Sequence, residues 1–403
     1  MRPRVLFYSH DGTGLGHLRI TLGLATDLAE RRPDAAVLLL TGSDATQAFR
    51  LPPNLDYVKL PSMPKRRLYE GLPTPASPAP EPARGRRLKN VVYVREAVAA
   101  ATVAAFAPQL VVVDHAPAGL FREMARAIAA LAAGEVAFGP GPRFVLLMRD
   151  ITFGPGQTRD IWENEGVYPL LDRVYERILV YGSRDLFDPI TEYGMSAVAA
   201  AKTAFCGYLA PPPPSRSADV VRAALGAAGR TLVLLTVGGG ADGGPVLRAY
   251  LEGVRSGMAP PGTVSFVVTG PLLDESEQST ITGLAAGLPD VRLVPFEPDL
   301  TSVLWAADAV VSMGGYNAMS EAVAAGKRPI VVPRRPGPEE QIIRARRFAA
   351  RGLAHLVSPE QVTPEAIWRH LLAELAVDTS PPNLLPFDGR ARIGAELVAM
   401  LPR

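Results

Sequence analysis

The sequence Ser-Met-Gly-Gly-Tyr-Asn-Ala-Met-Ser-Glu, residues 312–321, is the most informative stretch of the chain. It follows the apolar run 309–311, which is typical of a buried parallel strand. Gly314 and Gly315 permit a tight turn, and we expect Ser312 or Asn317 to cap the helix after it. A strand, a glycine turn and a helix in this order predict a parallel α/β sheet.

The N-terminus of that helix is a predicted phosphate site, because unpaired N–H groups and the positive end of the helix dipole meet there. Glu321 follows within the helix, where its carboxylate can reach a ribose hydroxyl beside the phosphate. Residues 329–333 predict the next strand, and Glu340 and Gln341 come in the loop after it. Ligands bind at that carboxyl edge in open α/β sheets.

These residues resemble the donor-binding signature of glycosyltransferase family 28, whose members have the GT-B fold. In that family a Ser-x-x-Gly-x-x-x-x-x-Glu run holds the diphosphate and ribose, and a Gln-Gln pair holds the sugar. The resemblance implies the first role for Ser312, Gly315 and Glu321. It implies the second role for Glu340 and Gln341, and the acid at the first position leaves the donor sugar open. The alternative is an ordinary turn with a capping serine.

Length and composition indicate a globular protein of two or three domains. The chain has 403 residues, of which 48% are hydrophobic and 20% charged. A net charge of +2 gives no general reason to expect nucleic-acid binding. The single cysteine, Cys206, excludes an intramolecular disulfide and a cysteine metal cluster. Because neither a signal-peptide core nor a long apolar run is evident, we expect a cytoplasmic protein.

The first half of the chain is predicted to carry acid–base chemistry at one sheet edge. A predicted strand at 5–9 leads into a glycine-rich loop at 10–17, which ends at His17. Its Gly-x-Gly-x-Gly spacing differs from the dinucleotide-binding pattern and disfavours a nicotinamide-dependent oxidoreductase. A second apolar run, 110–113, ends at Asp114 and predicts a buried strand at the same carboxyl edge.

His17 and Asp114 resemble the dyad of family 1 glycosyltransferases, in which a histidine deprotonates the acceptor hydroxyl and an aspartate orients it. A carboxylate that holds an imidazole selects its tautomer and raises its basicity. The alternative is that His17 only donates to phosphate and Asp114 caps a helix. The loop also resembles one in family 28 that faces acceptor and donor phosphates, which implies an acceptor-side position for Gly14 and Gly16.

Two more regions are predicted on the acceptor side. Arg149 and Asp150 follow the predicted strand 144–148 and either contact the acceptor or form a structural ion pair. Residues 61–90 contain seven prolines and seven Lys or Arg against two acids, which predicts a mobile basic loop. Such a loop can gather an anionic acceptor or lie on an anionic membrane surface, or it can be only solvated.

The second half predicts a donor domain with two glycine turns. After the apolar strand 231–237, the loop with Gly238, Gly239 and Gly240 can bring backbone amides near a donor phosphate or sugar. Phe296 stands where family 28 brackets the nucleobase, which would favour uracil; the alternative is a core side chain. Gly314 and Asn317 complete the predicted donor residues.

The predicted architecture is the GT-B fold, in which two Rossmann-like parallel-sheet α/β domains face a cleft and a C-terminal helix crosses back to the first. The predicted boundaries are 1–210 for the acceptor domain, 211–217 for a Pro-rich linker, 218–386 for the nucleotide-sugar domain and 387–403 for the crossover helix. The order of motifs along the chain also resembles a group of bacterial predicted glycosyltransferases.

The resemblance implies an inverting glycosyltransferase that moves a sugar from a nucleotide sugar, with UDP favoured, to a small-molecule or anionic acceptor. No Asp-x-Asp motif occurs in a suitable place, so we expect neither a metal nor another cofactor, and transfer by closure of the two domains. We expect no nucleic-acid partner and at most peripheral membrane contact. Two alternatives are a non-hydrolysing nucleotide-sugar 2-epimerase and a catalytically silent nucleotide-sugar-binding protein; acceptor-dependent release of UDP separates the three.

Overall fold

The computed structural model describes residues 2–10, 16–62, 82–120, 122–125, 127, 128, 142–335, 337, 339–377 and 385–402. The chain forms two compact units. Unit 1 comprises Met1–Leu209 together with Asp388–Arg403, and unit 2 comprises Ala210–Phe387. The residues predicted as a linker, 211–217, therefore group with the second unit.

Unit 1 is built on a parallel sheet of seven described strands in the order β3-β2-β1-β4-β5-β6-β7. The central strand β4 is buried at every position, because helices cover both faces of a parallel sheet and select runs of valine and leucine. The register pairs Tyr8 with Val113, so β1 and β4 end side by side. The strands are β1 Arg4–Tyr8, β2 Ala36–Thr41, β3 Leu55–Lys59, β4 Leu110–Asp114, β5 Arg143–Arg149, β6 Tyr175–Tyr181 and β7 Thr203–Phe205.

The C-terminal helix returns to unit 1, as predicted. It carries Gly394 against the first helix, where a Cβ would collide with the Asp27 carboxylate. Glu396 pairs with Arg177 at 2.7 Å. The α-helices described in this unit are Gly16–Arg31, Pro82–Phe106, Pro155–Asn164, Val167–Arg173, Pro189–Glu192, Ala197–Ala201 and Gly389–Ala399, with a 3-10 helix at Asp44–Ala48.

Unit 2 has a parallel sheet of six described strands in the order β10-β9-β8-β11-β12-β13. Two hydrophobic clusters cover its faces, one around Trp368 and Tyr250 and one around Phe266. The strands are β8 Thr231–Thr236, β9 Thr263–Val268, β10 Val291–Val294, β11 Ala309–Ser312, β12 Ile330–Val331 and β13 His355–Leu356. The described helices are Ala218–Leu225, Gly244–Arg255, Glu275–Ala285, Leu300–Ala306, Tyr316–Ala324, Glu340–Ala349 and Pro364–Leu375.

The predicted basic loop is wrong in its second part. The helix Pro82–Phe106 already begins at Pro82, so residues 82–90 are helical, and proline is favourable in a first helical turn. Residues 63–81 lie outside the described residues. Every helix in the described part of the chain is too short or too polar to cross a lipid bilayer.

Candidate active site

The predicted dyad in unit 1 forms a direct contact. His17 lies in the first turn of the helix Gly16–Arg31, and Asp114 is the last residue of β4. The Nδ1 atom of His17 is 2.7 Å from Oδ2 of Asp114. Asp114 is fully buried, whereas the His17 side chain keeps 13% of its surface exposed. Strand and helix thus bring a buried carboxylate to a partly accessible imidazole.

Both oxygens of the Asp114 carboxylate have donors. The Tyr181 hydroxyl at the end of β6 donates to Oδ1 at 3.0 Å. A carboxylate accepts hydrogen bonds, so the His17 proton belongs on Nδ1 and Nε2 keeps its lone pair. Tyr181 fixes the carboxylate, and the carboxylate fixes the imidazole. This arrangement can accept a proton at Nε2 of His17.

Two further histidines, neither assigned a role from the sequence, complete a cluster with His17. The ring centroids of His10, His17 and His115 are 4.7, 4.7 and 4.9 Å apart. His10 and His115 follow β1 and β4 at equivalent positions, because the register pairs Tyr8 with Val113. His10 lies two residues after Tyr8, and His115 lies two residues after Val113, the register partner of Tyr8. A histidine shortly after each of two adjacent strands is the signal that could have revealed them.

Burial, then the neighbouring histidines and Arg149, lower the pKa of His10 and of His115 well below 6.5. Both imidazoles are therefore neutral near pH 7. Their Nδ1 atoms are buried and have no hydrogen-bond partner among the described residues. His115 also has a left-handed backbone, with φ of 66°, which is uncommon for a residue other than glycine. Such strain is concentrated at functional sites.

The other predicted acceptor residues divide into two groups. Gly16 begins the first helix, and Gly14 lies outside the described residues. Asp150 is fully buried, accepts a hydrogen bond from the Tyr208 hydroxyl and accepts another from the Ile151 N–H at 2.7 Å. These bonds favour a structural role for Asp150. Acceptor contacts by Arg149 and Asp150 stay predictions.

In unit 2, β11 and the helix Tyr316–Ala324 form the predicted strand, turn and helix. Gly314 has φ of +80° and a Cβ there would lie 2.8 Å from Val331, so this position requires glycine. The cap prediction was wrong: Gly315 is the N-cap, and no side chain caps the helix. Ser312 is instead fully buried, and its Oγ has no partner among the described residues. The helix start thus keeps N–H groups and a buried hydroxyl for a ligand.

The loop containing Gly238, Gly239 and Gly240 packs against the turn after β9. Gly240 has φ of +94°, and a Cβ there would collide with the carbonyl oxygen of Thr269. Gly270 has φ of +81°, and its Cβ would lie 2.5 Å from the Gly239 carbonyl carbon. Gly238 and Gly239 are exposed. The close backbone approach explains the glycines and leaves exposed backbone at the carboxyl edge.

Glu340 and Gln341 lie at the start of the helix Glu340–Ala349. Glu340 pairs with the fully buried Arg344 at 2.9 Å, and Arg344 donates to the Gly314 carbonyl at 3.2 Å. Arg344, which the sequence did not reveal, thus links Glu340 to the predicted phosphate turn. Gln341 Oε1 accepts from the Arg334 N–H at 3.0 Å.

The remaining predicted donor residues are accessible. Asn317 and Glu321 are half-buried in the helix Tyr316–Ala324. Phe296 follows β10 and is 54% exposed, so the alternative of a core side chain is wrong. An exposed aromatic ring is available to stack on a base. Contact of these three residues with a nucleotide stays a prediction.

The chain is similar in sequence to known glycosyltransferases. Residues 235–381 match the model of the glycosyltransferase family 28 C-terminal domain. An uncharacterised glycosyltransferase of Methanopyrus kandleri is 29% identical over 171 residues, 42% of this chain and 44% of that protein. The UDP-N-acetylglucosamine–N-acetylmuramyl-(pentapeptide) pyrophosphoryl-undecaprenol N-acetylglucosamine transferase of Saccharopolyspora erythraea is 28% identical over 144 residues, 36% and 37% of the two chains. The chain matches less than half the length of either relative.

Solved structures share the fold over nearly the whole chain. The calicheamicin glycosyltransferase has a TM-score of 0.64 at 19% identity and covers 99% of this chain and 98% of its own. A putative UDP-N-acetylglucosamine 2-epimerase from Listeria monocytogenes has a TM-score of 0.64 at 14% identity, with 99% and 95% covered. The predicted GT-B fold, with two parallel-sheet α/β domains, and the resemblance to family 28 are confirmed.

Proposed function

We propose that this chain is an inverting glycosyltransferase that moves a sugar from a UDP-sugar to an acceptor hydroxyl. The carrying observation is the 2.7 Å contact between His17 and the buried Asp114, which leaves Nε2 of His17 able to accept a proton. The family 28 match over residues 235–381, in unit 2, supports a nucleotide-sugar site there. Base and donor site are the two parts that such a transfer needs.

The proposed reaction begins when Nε2 of His17 takes the proton of the acceptor hydroxyl. The oxygen attacks the anomeric carbon from the face opposite the diphosphate, and the C–O bond to the diphosphate breaks with inversion. Negative charge then develops on the leaving diphosphate. The N–H groups at Gly315 and the dipole of the following helix stabilise that charge without a resident metal in this proposal.

The donor nucleotide is proposed as UDP because the Saccharopolyspora erythraea relative is named for UDP-N-acetylglucosamine. Glu321 would bind the ribose, and Glu340 and Gln341 would bind the sugar. Acceptors with anionic groups fit the cationic Arg149 near the histidines. A nucleotide-sugar 2-epimerase is a second candidate, favoured by the likeness to the Listeria monocytogenes structure.

The first experiment is thermal unfolding with UDP, GDP, dTDP, CDP, ADP and NAD. A ligand that binds only the folded chain stabilises it by about 2.7 kcal/mol at a hundred times its dissociation constant. We expect UDP to raise Tm in the wild type and in Glu252→Ala, an exposed glutamate of unit 2, but not in Glu321→Ala. A shift with NAD alone, or none with any nucleotide, would contradict the proposal.

The second experiment separates transfer from epimerisation. UDP-N-acetylglucosamine is incubated with the protein, with and without a panel of hydroxyl acceptors, and UDP and the sugar products are measured. A transferase releases UDP in proportion to glycosylated acceptor. A sugar changed at C2 without acceptor identifies the epimerase, and nucleotide binding with no product in either arm identifies a silent binding protein.

A further inference from the structure

The three histidines of unit 1 are arranged with near three-fold regularity. Their ring centroids are separated by 4.7 to 4.9 Å, and the planes of each pair are inclined by 55° to 64°. One nitrogen from each ring lies within 4.8 Å of the other two. Hydrophobic packing alone does not require one nitrogen of each ring to lie this close to the other two.

This geometry is close to that of a three-histidine metal site. Zinc bound at 2.0–2.1 Å in a tetrahedron brings its ligand nitrogens to about 3.3 Å from one another and leaves a fourth position open. Modest side-chain rotations would close the remaining separation. His10 and His115 each have a buried Nδ1 without a hydrogen-bond partner among the described residues, so no hydrogen bond at Nδ1 opposes such a rotation.

Asp114 and Tyr181 already form the outer shell that such a site needs. Histidine ligands usually donate their second N–H to a carboxylate, which fixes the ring and increases its donor strength. The Asp114 carboxylate does this for Nδ1 of His17, and Tyr181 holds the carboxylate at 3.0 Å. Because Nδ1 of His17 contacts Asp114, a metal would be bound through Nε2 of this ring.

Charged groups act on the cluster in both directions. Arg149 acts electrostatically on His10 and His115, Arg95 acts on His10, and both disfavour a bound cation. The buried Asp114 carboxylate, in contact with His17, favours one. Three neutral imidazoles select zinc, cobalt, nickel or copper over magnesium and calcium, which prefer oxygen ligands.

We propose that His10, His17 and His115 bind one divalent transition-metal ion of the zinc class, and that this ion switches sugar transfer off. The second half of the proposal rests on the proposed function, because Nε2 of His17 cannot accept the acceptor proton while it is bonded to a metal. Removal of the ion frees the lone pair and restores the base. Metal binding thus inhibits sugar transfer by occupying the same imidazole that acts as the base.

The test uses the tag-free full chain, treated with chelator, with Zn²⁺ and Co²⁺ as probes. Calorimetry with Zn²⁺ gives stoichiometry and affinity, and the visible spectrum of Co²⁺ reports tetrahedral coordination. The variants are His10→Gln, His17→Gln, His115→Gln and Asp114→Asn, and the control is His370→Gln, in unit 2 beside His355. Thermal stabilisation by UDP checks that each variant is folded.

We expect one Zn²⁺ per chain in the wild type and in His370→Gln, and no response to Mg²⁺. Each cluster variant should weaken Zn²⁺ binding by at least about 10-fold, and Asp114→Asn by about 10- to 100-fold. The metal site would be refuted if the wild type did not bind Zn²⁺. It would also be refuted if His10→Gln, His17→Gln and His115→Gln all bound Zn²⁺ as tightly as the wild type. Since calorimetry needs no sugar, Zn²⁺ binding by a chain without transferase activity would refute the proposed function and the inhibition that rests on it, but not the metal site. If the chain is active and stoichiometric Zn²⁺ leaves its turnover unchanged, the proposed inhibition by the metal is refuted.

Discussion

The carboxyl edges of the two sheets carry different kinds of chemistry. In unit 1 the edge holds ionisable side chains, with His17 on the buried Asp114 and with His10 and His115 beside them. In unit 2 the edge holds glycine backbone at 238–240 and at 314–315, together with the fully buried hydroxyl of Ser312. One edge offers proton transfer, and the other offers N–H groups.

The two sheet edges differ because a general base and a diphosphate site need different groups. A base needs one imidazole in one tautomer, which only a fixed side-chain partner provides. A diphosphate spreads its charge over several oxygens, and backbone N–H groups at a helix start can meet it wherever no Cβ intervenes. Substitutions in unit 1 should therefore change rates, and substitutions in unit 2 should change stability or nucleotide affinity.

The largest expected effect is on turnover in His17→Ala. Loss of the proposed general base should lower kcat by about 100- to 10,000-fold and leave UDP binding unchanged, because the proposed donor site lies in unit 2. Initial rates with UDP-N-acetylglucosamine and an acceptor that the wild type glycosylates measure this change in kcat. His370→Gln is the matched control. Wild-type turnover in His17→Ala would show that His17 is not the base. The carboxyl edge of the unit 1 sheet would then no longer be assigned to proton transfer.

The next effect separates two adjacent glycines of unit 2. Gly314→Ala should cost about 1–3 kcal/mol of unfolding free energy, because φ is +80° and the new Cβ meets Val331 at 2.8 Å. Gly315→Ala has φ of −61° and open space around its Cβ, so it should cost less than about 1 kcal/mol. Urea unfolding measures both values.

The same pair also tests the phosphate site. The Cβ of Gly315→Ala would occupy open space at the helix start, where the phosphate is proposed to bind, so UDP affinity should fall although stability is kept. Equal stability losses in both variants would contradict the backbone explanation. Unchanged UDP affinity in Gly315→Ala would show that the phosphate does not bind at this turn.

The strands and the two sheets were predictable from the sequence, because they depend on local patterns of residues. Apolar runs that end in Asp114 and Ser312 predicted buried strands with polar ends, and the alternation of strands and helices predicted two parallel sheets. The meeting of His10 with His115 was not predictable locally, because it depends on the register of β1 against β4, strands about a hundred residues apart. The cap prediction failed because it assigned Ser312 to a helix start, whereas the residue belongs to the strand and is buried beneath the turn.

The third prediction concerns the pH dependence of unit 1. The pKa values of His10 and His115 are lowered in the folded chain, so the unfolded chain binds protons first as the pH falls below 6.5. Their contribution to stability is complete above that pH and declines below it, by up to about 1.4 kcal/mol per pH unit for each group. Urea unfolding from pH 7.5 to pH 5 measures the slope, which should be smaller in the double variant His10→Gln, His115→Gln. An unchanged slope would show that neither group is buried in its neutral form.

The smallest expected effect is on nucleotide affinity in Phe296→Ala. The ring is 54% exposed, so its removal should hardly change stability. Stacking of a base on an aromatic ring contributes about 1–3 kcal/mol, and a partly exposed ring lies at the low end, so UDP affinity should fall by about tenfold or less. Calorimetry with UDP and with ribose 5-phosphate, which lacks a base, measures the effect. A loss confined to UDP assigns the ring to the base, and an equal loss with both ligands would show that the ring does not stack on the base.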